Sequence, residues 1–173
     1  MIANIMRNRV DAVVETDVDA DAFRSVMRHL AGSVTVITTE GEGALHGFTA
    51  TAVCSVCASP PTILIVVNQS TRTHPHIDRK GYFAVNVLAD VQKDIAEHFA
   101  GKGEEQFNSV RHVVTKNGVP LISGAAAHLE CRIIERISIG THTIFVGRVV
   151  GTGAESRAPL VYHDARYGQV API

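Results

Sequence analysis

The chain has 173 residues, 46% of them hydrophobic, with 16 Lys and Arg against 17 Asp and Glu for a formal net charge of −1. One domain fits that length, and the apolar content argues against a disordered chain. The missing cationic excess and the absence of Trp argue against a nucleic-acid binder, electrostatic or stacking.

Residues 1–18 mix charges with short apolar stretches and read as an N-terminal extension without a signal-peptide core. Residues 19–173 read as a single domain. Its first element is a helix over 19–31, capped by Asp19 or Asp21, with Phe23, Val26, Met27 and Leu30 at helical spacing. Gly32 stops it, and its apolar face is expected to lie on something apolar. SVTVITTE (33–40) is a β-branched strand that ends at the turn signal Gly41-Glu42-Gly43. ALHGFTATAVCSV (44–56) reads as one second strand, so 33–56 forms a hairpin. Pro60 and Pro61 break the chain. TILIVVN (62–68) is continuously apolar and is expected to be buried on both faces.

The polar stretch 69–81 holds Pro75 and reads as a loop with a short helix. YFAVNVL (82–88) is a further strand. Residues 90–101 form an amphipathic helix with Val91, Ile95, His98 and Phe99 on one face. Residues 102–127 read as irregular, with a turn at 118–120. Segments 127–140 and 141–153 make a long hairpin, and the tail adds one short strand. Six or seven strands in hairpin order with two or three helices predict a closed antiparallel barrel with helices outside.

Several motifs fail. No GxGxxG lies between a strand and a helix, and neither GxxxxGK[ST] nor GxSxG occurs. Cys54 and Cys57 have CxxC spacing, but on a regular strand such positions point to opposite faces. They read as small buried residues of a barrel wall, with no metal site expected. The nine histidines are scattered, and no spacing matches a helix-borne ligand pair. With Cys131 the thiols number three, which fits a reducing cytoplasm better than a disulfide scaffold. No apolar run reaches the ~18 residues of a membrane span.

Two stretches carry chemistry. GFTATAVCSVC (47–57) has small or hydroxylated residues at nearly every position, where a core strand would use larger ones. Such a strand lets a planar ligand approach the backbone. NQSTRTHPH (68–76) follows the most apolar strand and offers Ser70, Thr71, Arg72 and Thr73 to a phosphate.

In order, the pieces AGSVTVITT, GFTATAVCSVCASPPTILIVV, YFAVNVL, IGTHTIFVGRV, PLVYH and RYG resemble the flavin reductase-like family, from about Phe23 to Gly168. These are the small reductase components of two-component flavin monooxygenases. The resemblance implies a mainly β fold with flanking helices, an antiparallel split β-barrel of Greek-key type. It also implies a cytoplasmic homodimer and an NAD(P)H:flavin oxidoreductase. Hydride passes from NADH or NADPH to FMN or FAD, and reduced flavin goes to a partner monooxygenase.

Flavin-ring contacts are implied at Thr49, Ala50, Thr51 and Ala52, with Ser55 and Val56 near the ring or its ribityl chain. Thr51 stands where Asn is common and Ala52 where Ser is common. The phosphate is implied near Ser70 and Thr73, and flavin packing at Phe99 and Phe107. His142, in a Gly140-Thr141-His142 turn whose middle residue is usually Asp, is implied beside the nicotinamide as the catalytic candidate. Tyr167 is implied as a lining residue. Arg72, Lys102 or Arg166 could meet an extra phosphate. Hydride transfer between stacked rings needs little acid–base help, which suits a site without a dyad. The alternative is an FMN-binding split-barrel protein without turnover, which would not need the His142 turn.

Overall fold

The computed structural model describes residues 17–171 except Lys102, Glu104 and Glu105. Residues 1–16 of the expected extension, and Lys102 among the candidate phosphate contacts, lie outside that set.

Asp19 caps α1 (Ala20–Met27), its carboxylate accepting from the backbone N–H of Asp21 and Ala22, both at 2.9 Å. Two further helices follow, α2 (His74–Lys80) and α3 (Lys93–Ala100). The strands begin with β1 (Gly32–Ser33), β2 (Thr35–Gly41), β3 (Ala44–Ala50), β4 (Val53–Ala58), β5 (Pro61–Asn68) and β6 (Tyr82–Val87). Next come β7 (His112–Val114), β8 (Pro120–Ile122), β9 (Ala127–Ile139), β10 (His142–Ala154), β11 (Leu160–His163) and β12 (Arg166–Gln169).

Seven strands form one antiparallel sheet in the order β3-β2-β6-β9-β10-β5-β4. Its two edges are consecutive in the chain, joined by Thr51 and Ala52 alone. Laid flat, six intervals between strands would separate the edges by about 29 Å. Three Cα steps reach roughly 11 Å at most. The sheet must therefore curl until its edges meet at that corner, which makes it a split barrel. The corner is tied on both sides: Thr35 Oγ1 donates to Ala50 O at 2.7 Å, and Val66 N donates to Ala52 O at 3.1 Å.

The barrel interior holds Ile37, Ile63, Ile65, Val67, Phe83 and Phe145, and Ile77 of α2 joins them. A second apolar cluster lies outside β2, where Val34, Val36, Phe99, Phe107 and Leu160 pack together. The strand buried on both faces is thus β2, not residues 62–68. On β5 the inward Ile63, Ile65 and Val67 are buried, while Leu64 and Val66 are half-exposed. The reason is that helices cover β2 and leave the outer face of β5 open.

Other expectations also change. Residues 44–56 split into β3 and β4, on opposite edges of the sheet. The stretch 102–127 is not wholly irregular, since β7 and β8 pair across the turn before Gly118. The tail holds two strands, which with β1 form a small second sheet. Helix α1 finds no apolar support among the described residues: Phe23, Val26, Met27 and Leu30 are all exposed. Cys54 and Cys57 are exposed rather than buried. A bulge between Ser55 and Cys57 sets Cys54 opposite Leu64 and Cys57 opposite Thr62. Those partners are two apart on β5, so the bulge returns both cysteines to one phase of the sheet. Cys131 is the buried thiol, pushed up to about 12 by desolvation and the nearby Glu130 carboxylate.

The barrel interior has no spare room at Gly147. A Cβ there would lie 2.8 Å from Phe83 Cζ and 2.9 Å from Cys131 Cβ. Gly147→Ala is expected to lower unfolding stability by about 1–3 kcal/mol through overpacking. Urea denaturation checks this, and an unchanged midpoint would contradict the packing described.

Candidate functional site

A groove of ≈ 1030 Å³ opens between β3, the loop before α2 and the C-terminal end of α3. Gly47 sets its floor. A Cβ at Gly47 would stand 2.8 Å from Phe99 Cε1, so only glycine lets α3 approach β3 this closely. Thr49 Oγ1 donates to Ala96 O at 2.6 Å and Thr73 Oγ1 to Gly47 O at 3.3 Å. These two bonds fix the groove's walls to one strand. Phe99 and Phe107 pack edge to face at 5.1 Å on the α3 side, and His98 Nε2 donates to Gln106 O at 2.8 Å behind them.

The loop is self-braced. Asn68 Oδ1 accepts from Ser70 N at 2.9 Å and from Ser70 Oγ at 2.8 Å, and Thr71 N donates to Asn68 O at 3.0 Å. Arg72 lies exposed at the groove's edge and reaches across it to donate to Gly103 O. Among the described residues no carboxylate lines the groove, whereas Arg72, His46, His76 and His112 do. Its electrostatic bias therefore suits an anion. Among the described residues, too, no group of three His, Cys, Asp or Glu is placed to hold a metal ion.

At the far end His46 and His76 stack with ring centroids 3.7 Å apart and planes within 5°. His46 Nε2 donates to Gly41 O at 3.0 Å. His76 Nδ1 is buried without a hydrogen-bond partner among the described residues. Burial holds the His76 imidazole below its ordinary value of 6.5, helped by His46 and Arg79 and opposed by Glu42 and Glu40.

The groove brings together seven of the residues expected from the sequence: Thr49, Ser70, Thr71, Arg72, Thr73, Phe99 and Phe107. Ala50 continues β3 from Thr49 but packs on the barrel core, and Thr51 and Ala52 stand exposed at the corner beyond it. Ser55 and Val56 are exposed on β4, around that corner. His142 does not line the groove, yet it neighbours the loop: it opposes Asn68 in the sheet, and Gln69 N donates to Thr141 O at 2.9 Å. Its Nδ1 lies 2.9 Å from Thr141 Oγ1. Tyr167 lies apart. It packs on the second cluster, 5.3 Å from the Tyr162 ring centroid and beneath Lys93, at the opposite end of α3 from Phe99. Burial, with Glu97 and Tyr162 adding to it, raises its phenol above the ordinary value.

The fold agrees with that of known proteins. The model for the flavin reductase like domain matches residues 27–171. The chain belongs to the flavin reductase-like family. Its relatives include the reductase component of the 4-nitrophenol 4-monooxygenase/4-nitrocatechol 2-monooxygenase of Rhodococcus opacus, 36% identical over 89% of this chain and 83% of that one. The FMN reductase (NADH) RutF of Stutzerimonas stutzeri is 39% identical over 84% of this chain and 85% of its own. In structure, the chain is similar to the Streptomyces globisporus NADH:FAD oxidoreductase SgcE6 solved with NAD and FAD fragments. The TM-score is 0.84 at 36% identity, covering 91% of this chain and 98% of that one.

Within this flavin reductase-like domain, reading the sequence missed His46, His76, Gln106 and His112 as groove residues. Scattered positions gave no spacing signal. Only Gly47 beside His46 hinted at a close approach, and its partner Phe99 is 52 positions away.

His76 makes a pH-dependent contribution. The folded imidazole takes up a proton less readily than the unfolded one, so stability is full above pH ~6.5 and falls as pH drops through the lowered folded value. His76→Gln is therefore expected to flatten the loss of stability between pH 7.5 and pH 5.5. Urea midpoints of both proteins at the two pH values test this, and identical slopes would contradict it.

Proposed function

We propose that this chain is an NADH-dependent flavin reductase that supplies reduced flavin to a separate monooxygenase. The observation that carries the reading is the groove itself, with small residues and close packing along β3, a hydroxyl-bearing loop at its side and, among the described residues, no lining carboxylate. Family membership supports the same reading. A flavin fits the groove's donor set, since its phosphate meets an anion-favouring rim and its ring meets strand backbone rather than bulky side chains.

When both substrates are bound, the nicotinamide supplies a hydride and the flavin accepts it. The chain's part is to hold two flat rings in contact and keep water out. Thr49 fixes β3 to α3 through Ala96 O, so the wall that meets the ring does not yield. The proposed ring site runs from Thr49 through Ala50, Thr51 and Ala52 to Ser55 and Val56 around the corner. Ser70 and Thr73 hold the phosphate end, although both hydroxyls already donate within the protein. Thr71 and Arg72 line the groove beside them and bring further donors to the anion.

His142 is proposed to orient the nicotinamide from the hairpin tip beside Asn68. His142→Ala is then expected to lower kcat/KM for NADH by ~10- to 100-fold, the scale of one or two lost hydrogen bonds. Flavin affinity and melting temperature should stay nearly constant. Initial rates of NADH oxidation with free FMN, followed at the nicotinamide band, measure it. Binding of FMN without any NADH oxidation in the parent protein would favour the non-catalytic FMN-binding alternative.

A homodimer completes the proposal, in the cytoplasm. The outer faces of β5, β10 and β9 carry an apolar stripe in register: Val66 opposes Ile144, which opposes Ile137, and Leu64 opposes Val146. Ile137 and Ile139 are 45% and 59% exposed in the single chain. A second copy would cover this stripe. Light scattering should give twice 18.6 kDa, and Ile137→Lys should shift the protein toward monomer. A monomeric parent at micromolar concentration would overturn the dimer.

A further inference from the structure

We propose that Cys54 and Cys57 form a peroxide-sensitive dithiol at the edge of the flavin-ring site, closing to an intrachain disulfide that slows the reductase. The effect on the reductase rests on the reading of Thr49 to Val56 as the ring site, whereas the thiol chemistry stands on strand β4 alone.

On a regular strand, positions three apart face opposite ways. The bulge between Ser55 and Cys57 sets Cys54 opposite Leu64 and Cys57 opposite Thr62, so both thiols stand on one face of the sheet. Residues two apart on a strand such as β5 have Cα atoms about 6.7 Å apart. A disulfide joins Cα atoms roughly 4.4–6.8 Å apart, so the cysteines start at the upper end of that range and a tightened bulge brings them well within it. Strand β4 can yield, because it is the last strand of its sheet and is laddered only to β5. Neither thiol is locked. Cys54 Sγ donates to Ser55 O at 3.3 Å and Cys57 Sγ to Pro60 O at 3.1 Å, both local bonds of a weak donor.

Both thiols are exposed, whereas Cys131 is buried and desolvation pushes it up to about 12. Oxidation follows exposure and thiolate character, so it is directed to β4 and spares Cys131. Strand β4 also lies beyond the stripe over β5, β10 and β9 that a second copy would cover.

The oxidant is hydrogen peroxide, and the reaction itself can supply it. Reduced flavin that leaves without meeting an oxygenase passes two electrons and two protons to O2. One β4 thiolate attacks a peroxide oxygen, the O–O bond breaks, and a sulfenic acid and water result. The second thiol then attacks the sulfenic sulfur, the S–S bond forms, and the hydroxyl leaves with a proton as a second water. Two thiols have lost two electrons and two protons, and peroxide has been reduced to two waters. The new bond encloses Ser55 and Val56, the end of the proposed ring wall. Closing it draws the bulge in and moves that wall, so a reductase idling without its oxygenase limits its own waste of NADH.

The test uses the full chain, reduced with dithiothreitol, desalted and treated with hydrogen peroxide. Native titration with DTNB is expected to fall from two thiols per chain to none, with an intact mass lower by about 2 Da, and dithiothreitol reverses both. Cys54→Ser and Cys57→Ser should each lose the mass shift and keep the activity of the reduced parent, with melting temperatures verifying that they fold. In the parent, oxidation should raise the FMN Kd and lower the rate of NADH oxidation, each about tenfold. Turnover in air with excess NADH and FMN should inactivate the parent, and catalase or the double Cys→Ser substitution should protect it. A native titre that starts below two or stays at two, a lasting mass gain of about 16 Da, or a disulfide joining two chains overturns the dithiol. An intrachain disulfide that leaves FMN affinity and rate unmoved overturns its control of the site. Failure of the parent protein to bind FMN would instead remove the ring-site reading, and the mass shift still decides the thiol chemistry.

Discussion

The two-residue link between β3 and β4 is the constraint on which the rest of the molecule depends. Thr51 and Ala52 join strands that stand six intervals apart in the sheet order, so the sheet must curl to connect them. Closure puts one face of every strand inside and commits that face to Ile, Val and Phe. It also decides where a cleft can form. The barrel is split at its edges, and the edge strand β3 has one flank free for α3 and the loop before α2. The candidate site is the space those pieces enclose.

Positioning at the site is done mainly by hydroxyl groups bound to main-chain carbonyls. Thr49 and Thr73 bind Ala96 O and Gly47 O from the two sides of β3, as Thr35 binds Ala50 O at its end. A threonine used this way satisfies a carbonyl that would otherwise cost free energy when desolvated. It also makes the strand a fixed reference from which loop and helix are measured. The buried Asn86 does the same for the outer cluster, donating to Val36 O and Thr38 Oγ1 and accepting from Ile122 N. The hydroxyls legible in the sequence as ligand contacts are thus architectural first. Their donors are used, and the charge that would meet an anion stands beside them at Arg72.

The strands at 33–40, 62–68 and 82–88 and the long hairpin of β9 and β10 were legible because β-branched runs and glycine turns mark them locally. The family resemblance located five residues that the groove brings together. What was not legible depended on facts outside any local window. CxxC spacing predicted diverging thiols, but a one-residue bulge at Val56 reverses the phase, and nothing in SVC announces a bulge. The run at 62–68 looked doubly buried from its composition, whereas double burial went to β2 because α3 and the tail pack against its outer face. The apolar face of α1 was legible, and its support was not, since none of the described residues covers it. His46 and His76 are 30 positions apart, and their stacking follows from the placement of α2 against the β2–β3 hairpin.

An open groove with few free donors is also what the chemistry asks for. A reductase that hands its flavin to another protein must bind it well enough to align the rings, yet release it after reduction. Alignment depends on geometry, and geometry here comes from fixed backbone: β3 pinned by threonines and α3 pressed onto Gly47. Such contacts give orientation at little cost in affinity, because strand and helix are already ordered before the ligand arrives and little conformational entropy is lost on binding. Affinity can then be set separately, by the anion-favouring rim at Arg72. Separating the two tasks along the length of one groove lets the ring end stay the same while the rim tunes how long the flavin is held.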